Sequence, residues 1–188
     1  MTARQTAEIT KTGTAADSGI VIHTARGGDP CRLCAFYYHI FADQYRFRER
    51  WEGYFIKSVG EYFDDMEHNQ IWLAEKNGTV VGSIGTVSHS DRSAQLRWFG
   101  VDRSMRGCGI GNDLLEQCLT GCEQNGFRDL WLWTIDILKP ARHLYARHGF
   151  VMTETKPNTE WADYAMTEEK WERNSTSPTD GSEADPQA

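Results

Sequence analysis

The sequence lacks any long apolar run, and this absence argues against a membrane-spanning protein of the helical type. No stretch of the chain approaches the ~20 consecutive apolar residues that a membrane-spanning helix needs. Residues 1–18 are polar and small, so they do not resemble a secretory signal segment either. The sequence therefore predicts a protein that does not have a membrane as a partner.

Basic charge is also in short supply. The chain has 20 Lys and Arg residues against 27 Asp and Glu residues, which gives a formal net charge of −7. Nucleic-acid-binding domains usually carry an excess of basic residues that neutralises phosphates, so nucleic acid is not an expected partner. With 39% apolar and 25% charged residues over 188 positions, the composition is typical of one globular domain.

Cysteine is sparse, and its spacing completes no metal site. The five cysteines are an odd number, and the pair formed by Cys31 and Cys34 has no second Cys-x-x-Cys to match it. A structural zinc site needs further ligands at matching spacing, and a disulfide framework needs an oxidising compartment. We therefore interpret the cysteines as ordinary thiols, and we expect a cytoplasmic protein that binds no metal.

Large apolar residues are rare at both ends of the chain. Residues 1–18 and 172–188 are rich in Ser, Thr, Asp and Ala, which predicts disordered segments. A single domain is expected between them, over residues 19–171.

Within this domain, the apolar pattern changes between the period of a strand and the period of a helix. Strands are predicted over 20–25, 71–75, 80–87, 94–101, 129–135, 151–156 and 161–166, and helices over 31–45, 48–66, 112–125 and 139–148. An Asn-Gly pair between the second and third strands predicts a two-residue hairpin turn. This order of elements predicts a mixed α/β fold with one central sheet.

Two of the predicted helices carry an apolar face. In the second helix it is aromatic and recurs at spacing four, through Phe47, Trp51, Phe55, Val59 and Phe63. In the third helix it consists of Leu114, Leu115, Cys118, Leu119 and Cys122. We interpret both faces mainly as core, and we expect part of the aromatic face to line a ligand pocket.

Three glycines stand between a predicted strand and a predicted helix, in the stretch RGCGIG at positions 106–111. The amides of a first helical turn lack intrahelical partners and carry partial positive charge, so they bind phosphate where no side chain blocks the backbone. The spacing of Gly107, Gly109 and Gly111 fits neither a P-loop nor a Rossmann fingerprint. On these glycines alone, a tight turn without a ligand is the alternative.

The segment VDRSMRGCGIGNDLLEQCL resembles motif A of the GNAT superfamily of N-acetyltransferases. Its signature, R/Q-x-x-G-x-G/A, is filled by Arg106, Gly109 and Gly111. Further along, ARHLYARHGF resembles motif B of the same family through Ala141, Leu144, Tyr145, Gly149 and Phe150. The resemblance covers about residues 19–167. It is similar to the bacterial branch that often occurs fused to MarR-type DNA-binding domains, although these residues predict no such domain.

The resemblance implies an α/β (α+β) fold with a largely antiparallel sheet flanked by helices, and an acetyl-CoA site on it. In such a site the amides of 106–112 hold the pyrophosphate, and a strand bulge near Gly100 admits the thioester. Tyr145 is the catalytic candidate, since it would lie near the sulfur and protonate the leaving thiolate. The cofactor-binding candidates are Phe99, Gly100, Val101, Arg106, Gly107, Cys108, Gly109, Ile110, Gly111 and Asn112.

Two positions depart from the pattern of the family. Leu138 stands where many relatives have an Asn that contacts the pantetheine arm, and Gln95 stands where many have a Glu that acts as general base. Either the base lies elsewhere, or a water chain serves, or none is needed. Other candidates for a base are His39, Asp64, Asp65, Glu67 and His89.

The resemblance implies acetyl transfer from acetyl-CoA to a primary amine by direct attack. The acceptor is a small molecule or a peptide, and a homodimer is a further option. The rival interpretation is an acyl-CoA-binding sensor with little or no turnover, which Gln95 and Leu138 favour. We expect residues 36–63, 88–93 and 155–162 to shape the acceptor site. If the acidic residues of this region face the cleft, they favour a cationic amine; they are Glu49, Glu52, Glu61, Asp64, Asp65 and Glu67.

Overall fold

A single sheet organises the computed structural model, which describes residues 19–174. Its strands are β1 (Ile20–Thr24), β2 (Gln70–Lys76), β3 (Thr79–Ser88), β4 (Ser93–Val101), β5 (Asp129–Ile135), β6 (Val151–Asn158) and β7 (Met166–Asn174). The α-helices are α1 (Asp29–Tyr38), α2 (Glu49–Gly60), α3 (Ile110–Gln124) and α4 (Lys139–Arg147). A π-helix (His39–Gln44) continues α1, and 3₁₀ turns follow α2 (Glu61–Phe63) and β4 (Arg103–Met105).

The strands are ordered β1-β2-β3-β4-β5-β7-β6. Every neighbouring pair is antiparallel except β4 and β5, which are parallel and are joined through α3. This arrangement confirms the predicted mixed, largely antiparallel sheet flanked by helices. It also places one parallel pair among antiparallel ones in the middle of the sheet, and the candidate site lies there.

The turn between β2 and β3 is a two-residue hairpin turn, as the Asn-Gly pair predicts. Asn77 and Gly78 have φ values of 51° and 76°. Positive φ at both positions suits the right-handed twist of the flanking strands, and Asn and Gly tolerate it better than other residues.

The prediction of a last strand over 161–166 is wrong. Residues 161–165 form a bend, and the final strand β7 starts only at Met166. The apolar residues of the bend gave a misleading pattern because Trp161 and Ala162 pack against the core from outside the sheet. The true strand buries two carboxylates, Glu168 and Glu169, so its sequence lacks the alternation that would have revealed it.

The domain boundary also differs from its prediction. The sequence predicts residues 172–174 in the disordered tail, but they form the last part of β7, where they pair with β5. The remaining residues of the predicted disordered segments, 1–18 and 175–188, lie outside the described residues.

Hydrophobic side chains pack on both faces of the sheet, because successive residues of a strand point to opposite faces. The apolar face of α3 is buried on one side, as predicted, through Leu114, Leu115, Cys118, Leu119 and Cys122. An aromatic cluster from α1, the π-helix, α2 and the loop before α2 covers the other side, through Tyr37, Phe41, Phe47, Trp51 and Phe55. Phe63 is 56% exposed, against prediction, because α2 ends at Gly60.

The segment predicted as one helix over 31–45 is divided between an α-helix and a π-helix. α1 starts earlier, at Asp29, with Pro30 in its first turn, and the π-helix follows it directly. π-Helices are rare and are frequently found at functional sites. Here the π-helix buries Ile40 and Phe41. Within residues 19–174, no helix is both long and apolar enough to cross a bilayer.

Candidate active site

The two parallel strands separate partway along their length. Their register runs from the pair of Ser93 and Asp129 to the pair of Leu96 and Leu132 and then ends. Beyond this point β4 is irregular, since its register with β3 shifts between Ser83 and Gly85. The sheet therefore opens between the second half of β4 and the second half of β5.

The bulge that opens the sheet lies at Trp98. This residue has a φ of 51°, which is a strained value for a bulky aromatic side chain. The predicted position at Gly100 is wrong, because Gly100 is back in register with Ser83. The sequence suggested a glycine, whereas the bulge is formed by the largest side chain of the strand.

Neighbouring groups hold Trp98 in this conformation. The hydroxyl of Ser83 donates to the Trp98 carbonyl oxygen at 2.8 Å, and the indole N–H of Trp98 donates to Ser58 Oγ at 3.0 Å. The indole ring lies over Gly85, where an added Cβ would come within 2.5 Å of Trp98 Cε3. The bulge is therefore fixed by two hydrogen bonds and by a glycine that makes room for the ring.

We expect Gly85→Ala to lower the free energy of unfolding by about 1–3 kcal/mol, since the new methyl group overpacks a fixed ring and the carbonyl oxygen of Gln70. Gly53→Ala is the matched control, because Gly53 is exposed in α2 and a Cβ there meets nothing within 4 Å. The control is expected to gain about 0.5–1 kcal/mol from helix propensity. Urea unfolding measures both values, and equal midpoints for the two variants would contradict this account.

A cleft of about 270 Å³ occupies the opening on the side of the glycine loop. It is bounded by the end of β4, the start of α3, one side of α4 and the π-helix. It is lined by Phe99, Gly100, Val101, Arg106, Gly107, Gly109, Ile110, Gly111 and Asn112, together with Ile40, Phe41, Tyr45, Met105, Leu138, Pro140, Ala141, Leu144 and Arg147. We call it the cofactor cleft. It brings together every predicted cofactor-binding residue except Cys108, whose side chain is exposed.

The glycines of the loop meet two different needs. Gly107 and Gly109 have φ values of 82° and 85°, and Gly109 is the N-cap of α3, where no side chain caps the helix. Gly111 lies inside the first turn, where a Cβ would be 3.1 Å from Leu144 Cδ1. The first two glycines shape the turn, and the third lets α4 pack closely on α3.

The cofactor cleft carries positive charge only. Arg106 and Arg147 line it, and none of its lining residues, all within 19–174, is acidic. The Arg106 guanidinium donates to the Val101 carbonyl oxygen at 3.3 Å and to the Tyr45 hydroxyl at 3.4 Å. Together with the free end of α3, these cations favour a phosphate-bearing ligand. Sequence analysis missed Arg147, although a basic residue in the last turn of the motif B helix was visible.

A second cavity of about 340 Å³ adjoins the cofactor cleft. The two share Phe41, Phe99 and Leu138 in their linings. The walls of the second cavity are mostly aromatic and include Tyr37, Phe47, Trp51, Tyr54, Phe55, Trp98, Trp131, Trp133, Tyr145 and Trp161. We call it the acceptor cavity. Most of the predicted aromatic face of α2 lines it, as do two residues of 155–162, whereas segment 88–93 does not.

Tyr145 lines the acceptor cavity close to the shared wall. It is only 4% exposed, and its ring centroid lies 5.6 Å from that of Phe99. Burial raises the pKa of the Tyr145 phenol, and the nearby Cys118 thiol adds to the rise. The phenol therefore keeps its proton at neutral pH and can act as a hydrogen-bond donor.

The acceptor cavity also has polar groups that sequence analysis missed. Glu168, from β7, lines it and is mostly buried. The Glu168 carboxylate accepts from Asn158 Nδ2 at 2.8 Å and forms an ion pair with Lys156 at 3.2 Å. Gln95 lines the same cavity and is 6% exposed. No pattern in the sequence singled out Glu168, because its strand was predicted in another place.

The acids and bases proposed from the sequence lie elsewhere. Neither cavity is lined by His39, Asp64, Asp65, Glu67 or His89, or by Glu49, Glu52 or Glu61. His39 Nδ1 is hydrogen-bonded to Asp43 Oδ2 at 3.0 Å, and the Asp65 carboxylate accepts hydrogen bonds from His68 and Ser88. Glu61 does not line the acceptor cavity but forms an ion pair with Arg97, which does. The other acidic residues of 49–67 do not line this cavity. Within residues 19–174, no group of three or more potential ligands is arranged to hold a metal ion.

Comparison with known proteins points to one family. The model of the family described as "Acetyltransferase (GNAT) family" matches residues 34–150. A curated relative, "Probable N-acetyltransferase camello" of Xenopus tropicalis, is 28% identical over 120 residues, which is 63% of this chain and 55% of that protein. Mycothiol acetyltransferase of Thermomonospora curvata is 31% identical over 80 residues, 43% of this chain and 27% of that protein. The chain thus spans about half or less of these curated relatives.

Solved structures share the fold. An acetyltransferase of Staphylococcus aureus Mu50 has a TM-score of 0.67 and 22% identity, with 82% of this chain and 98% of that one covered. An acetyltransferase of Elizabethkingia anophelis, solved with acetyl-CoA bound, has a TM-score of 0.54 and 17% identity, with 81% and 97% covered. At these identities the likeness concerns the fold alone.

Proposed function

Because the chain belongs to the acetyltransferase (GNAT) family, we propose that it transfers an acetyl group from acetyl-CoA to a primary amine by direct attack. One observation supports this proposal above all: the cofactor cleft and the acceptor cavity meet at Phe99, beside Tyr145. A thioester that enters from one side would meet an amine that enters from the other. The resemblance to the MarR-fused branch, the homodimer and the cytoplasmic location stay predictions.

Acetyl-CoA would occupy the cofactor cleft. The amides of 106–112, Cys108 included, would bind the pyrophosphate, with Arg106 and Arg147 adding charge. The irregular part of β4 would pair with the pantetheine arm, as an added strand does. Phe99, Gly100 and Val101 lie on that part. Leu138 would give an apolar contact where relatives have an amide.

The chemistry needs two protons to be handled. The amine nitrogen attacks the thioester carbon, and the carbonyl electron pair moves to oxygen. When the carbonyl re-forms, the carbon–sulfur bond breaks and its electron pair leaves with sulfur. One proton leaves the nitrogen and one reaches the sulfur, so the products are an amide and a free thiol. We assign the proton at sulfur to Tyr145, whose phenol is neutral at physiological pH and lies beside Phe99, where the two cavities meet.

The lining of the acceptor cavity favours an acceptor amine that carries an aromatic ring. Aromatic faces attract both apolar rings and cations, and indole faces do so most strongly. Glu168 is the acidic residue of this lining, which also contains Arg97 and Lys156. A cationic amine would take the place of Lys156 as the partner of Glu168. Glu168 is also a carboxylate that can accept a proton, so it takes the place of the missing acid/base group at Gln95.

We expect phenethylamine to be acetylated with a kcat/KM roughly 10- to 100-fold above that of ethylamine, since burial of a ring is worth about 1.5–3 kcal/mol. Glu168→Gln is expected to lower kcat/KM for phenethylamine by about tenfold or more, because a buried charge pair is lost. The exposed Glu160, which lines neither cavity, gives the control Glu160→Gln. Release of free thiol from acetyl-CoA measures all four rates.

The rival function has its own outcome in this assay. If acetyl-CoA binds but neither phenethylamine nor ethylamine releases thiol, the chain is a sensor of acyl-CoA and the proposal is wrong. Gln95 and Leu138 are the residues that favour this rival, since both line the site and differ from the family pattern. The carboxylate of Glu168 in the same cavity weighs against it.

A further inference from the structure

A second phenol lies in the site, and the chemistry described so far does not use it. Tyr37, on α1, is 3% exposed and lines the acceptor cavity. Its ring stacks with Phe55, at 4.4 Å between centroids, and with Phe41, at 5.5 Å. Its hydroxyl oxygen is buried and has no hydrogen-bond partner among residues 19–174.

A buried hydroxyl without a partner is costly, and such groups are rare in folded proteins. Burial raises the pKa of Tyr37 well above its usual value, and the nearby Ser83 hydroxyl lowers it in part. The geometry between these two hydroxyls does not make a hydrogen bond, and Ser83 instead donates to the Trp98 carbonyl oxygen. Tyr37 is therefore a neutral donor whose proton is uncommitted.

The position of this hydroxyl explains Gly100. A Cβ at Gly100 would lie 3.1 Å from the Tyr37 oxygen, which is tighter than an ordinary contact. Gly100 lines the cofactor cleft and follows the bulge at Trp98, whereas Tyr37 lines the acceptor cavity. The Tyr37 hydroxyl thus reaches β4 at the junction of the two cavities, and the glycine leaves space for it.

On the basis of the proposed function, we infer that Tyr37 donates a hydrogen bond to the carbonyl oxygen of the bound acetyl group. The bond strengthens as the amine attacks and negative charge moves onto that oxygen. Tyr37 keeps its proton throughout, so the balance of protons between nitrogen and sulfur is unchanged. The site would then contain two phenols with separate tasks, Tyr145 at the sulfur and Tyr37 at the oxygen.

We expect Tyr37→Phe to lower kcat by about 10²–10³-fold, which is typical for the loss of one donor to an oxyanion. Affinity for acetyl-CoA is expected to change little, because the bond is weak until charge develops. The ring contacts remain and an unpaired hydroxyl is removed, so the melting temperature stays equal or rises. Tyr38→Phe, at an exposed neighbour, is the control. Unchanged kcat in Tyr37→Phe overturns the inference, and so does a lower melting temperature that accounts for the loss.

A spectroscopic test does not depend on turnover. The infrared carbonyl band of acetyl-CoA labelled with ¹³C at the carbonyl is recorded when bound to the wild-type protein and to Tyr37→Phe. A donated hydrogen bond lowers the frequency of this band, so we expect a higher frequency in the variant and no change in Tyr38→Phe. Equal frequencies overturn the inference even if the wild type is active. If the wild type binds acetyl-CoA without turnover, the proposed function fails and the band alone decides the role of Tyr37.

Discussion

Gly109→Val is expected to abolish measurable binding of acetyl-CoA while the protein stays folded. Gly109 has a φ of 85° at the start of α3, a conformation that valine strongly disfavours. The loop would relax and turn its amides away from the pyrophosphate. Charge-assisted hydrogen bonds contribute about 1.5–3 kcal/mol each, so loss of two predicts a roughly 10²- to 10⁴-fold weaker complex.

Gly126→Val separates this effect from backbone strain in general. Gly126 has a φ of 82° at the other end of the same helix, and a Cβ there meets nothing within 4 Å, as at Gly109. Both variants therefore suffer similar strain, but only one lies in the cofactor cleft. Calorimetric titration with acetyl-CoA, together with thermal unfolding, compares them. Equal loss of affinity in the two variants would show that the glycine loop has no special part in binding.

Tyr145→Phe is expected to lower kcat by about 10²–10⁴-fold, the range typical of one proton-transfer group, with little change in affinity for acetyl-CoA. The ring contacts with Phe99, Phe150 and Trp171 survive the change, so the core around it is kept. The raised pKa also has a consequence for pH. Tyr145 therefore stays neutral at pH ~10, where an ordinary tyrosine is half ionised. Ionisation of Tyr145 should not lower kcat at any pH below this value.

Gln95 supplies the comparison for Tyr145. Its amide lines the acceptor cavity and can orient a group but cannot titrate, so Gln95→Ala should lower kcat much less. Gln95→Glu adds a possible base and is expected to lower the apparent pKa of the rising limb of the pH profile. The measurement is kcat against pH with phenethylamine for the three variants. An inactive Gln95→Ala beside an unimpaired Tyr145→Phe would reverse these roles.

The sequence predicts local features well where one residue type is needed at one position. The Asn77–Gly78 turn and the glycine loop follow from the φ values that these residues tolerate. The apolar face of α3 follows from its helical period, and the family motifs locate the cofactor cleft. In each of these cases the signal lies within a few neighbouring residues.

The rest of the site depends on contacts between distant segments. The bulge at Trp98 requires Ser58, Ser83 and Gly85, which come from α2 and β3. Glu168 reaches the acceptor cavity because β7 pairs with both β5 and β6. The Tyr37 hydroxyl has space beside β4 because position 100, 63 positions further along the chain, is a glycine. Contacts between residues that are distant in the sequence produce no local periodicity. A buried carboxylate such as Glu168 also interrupts the alternating apolar pattern by which a strand is recognised.

Acetyl transfer itself is tested most directly by following both products of one reaction. The wild-type protein is incubated with acetyl-CoA labelled in the acetyl group and with phenethylamine, and thiol and labelled amide are counted together. The account predicts that the two appear one for one, and that both vanish with Gly109→Val. Thiol release without labelled amide, or tight binding of acetyl-CoA without either product, would contradict it.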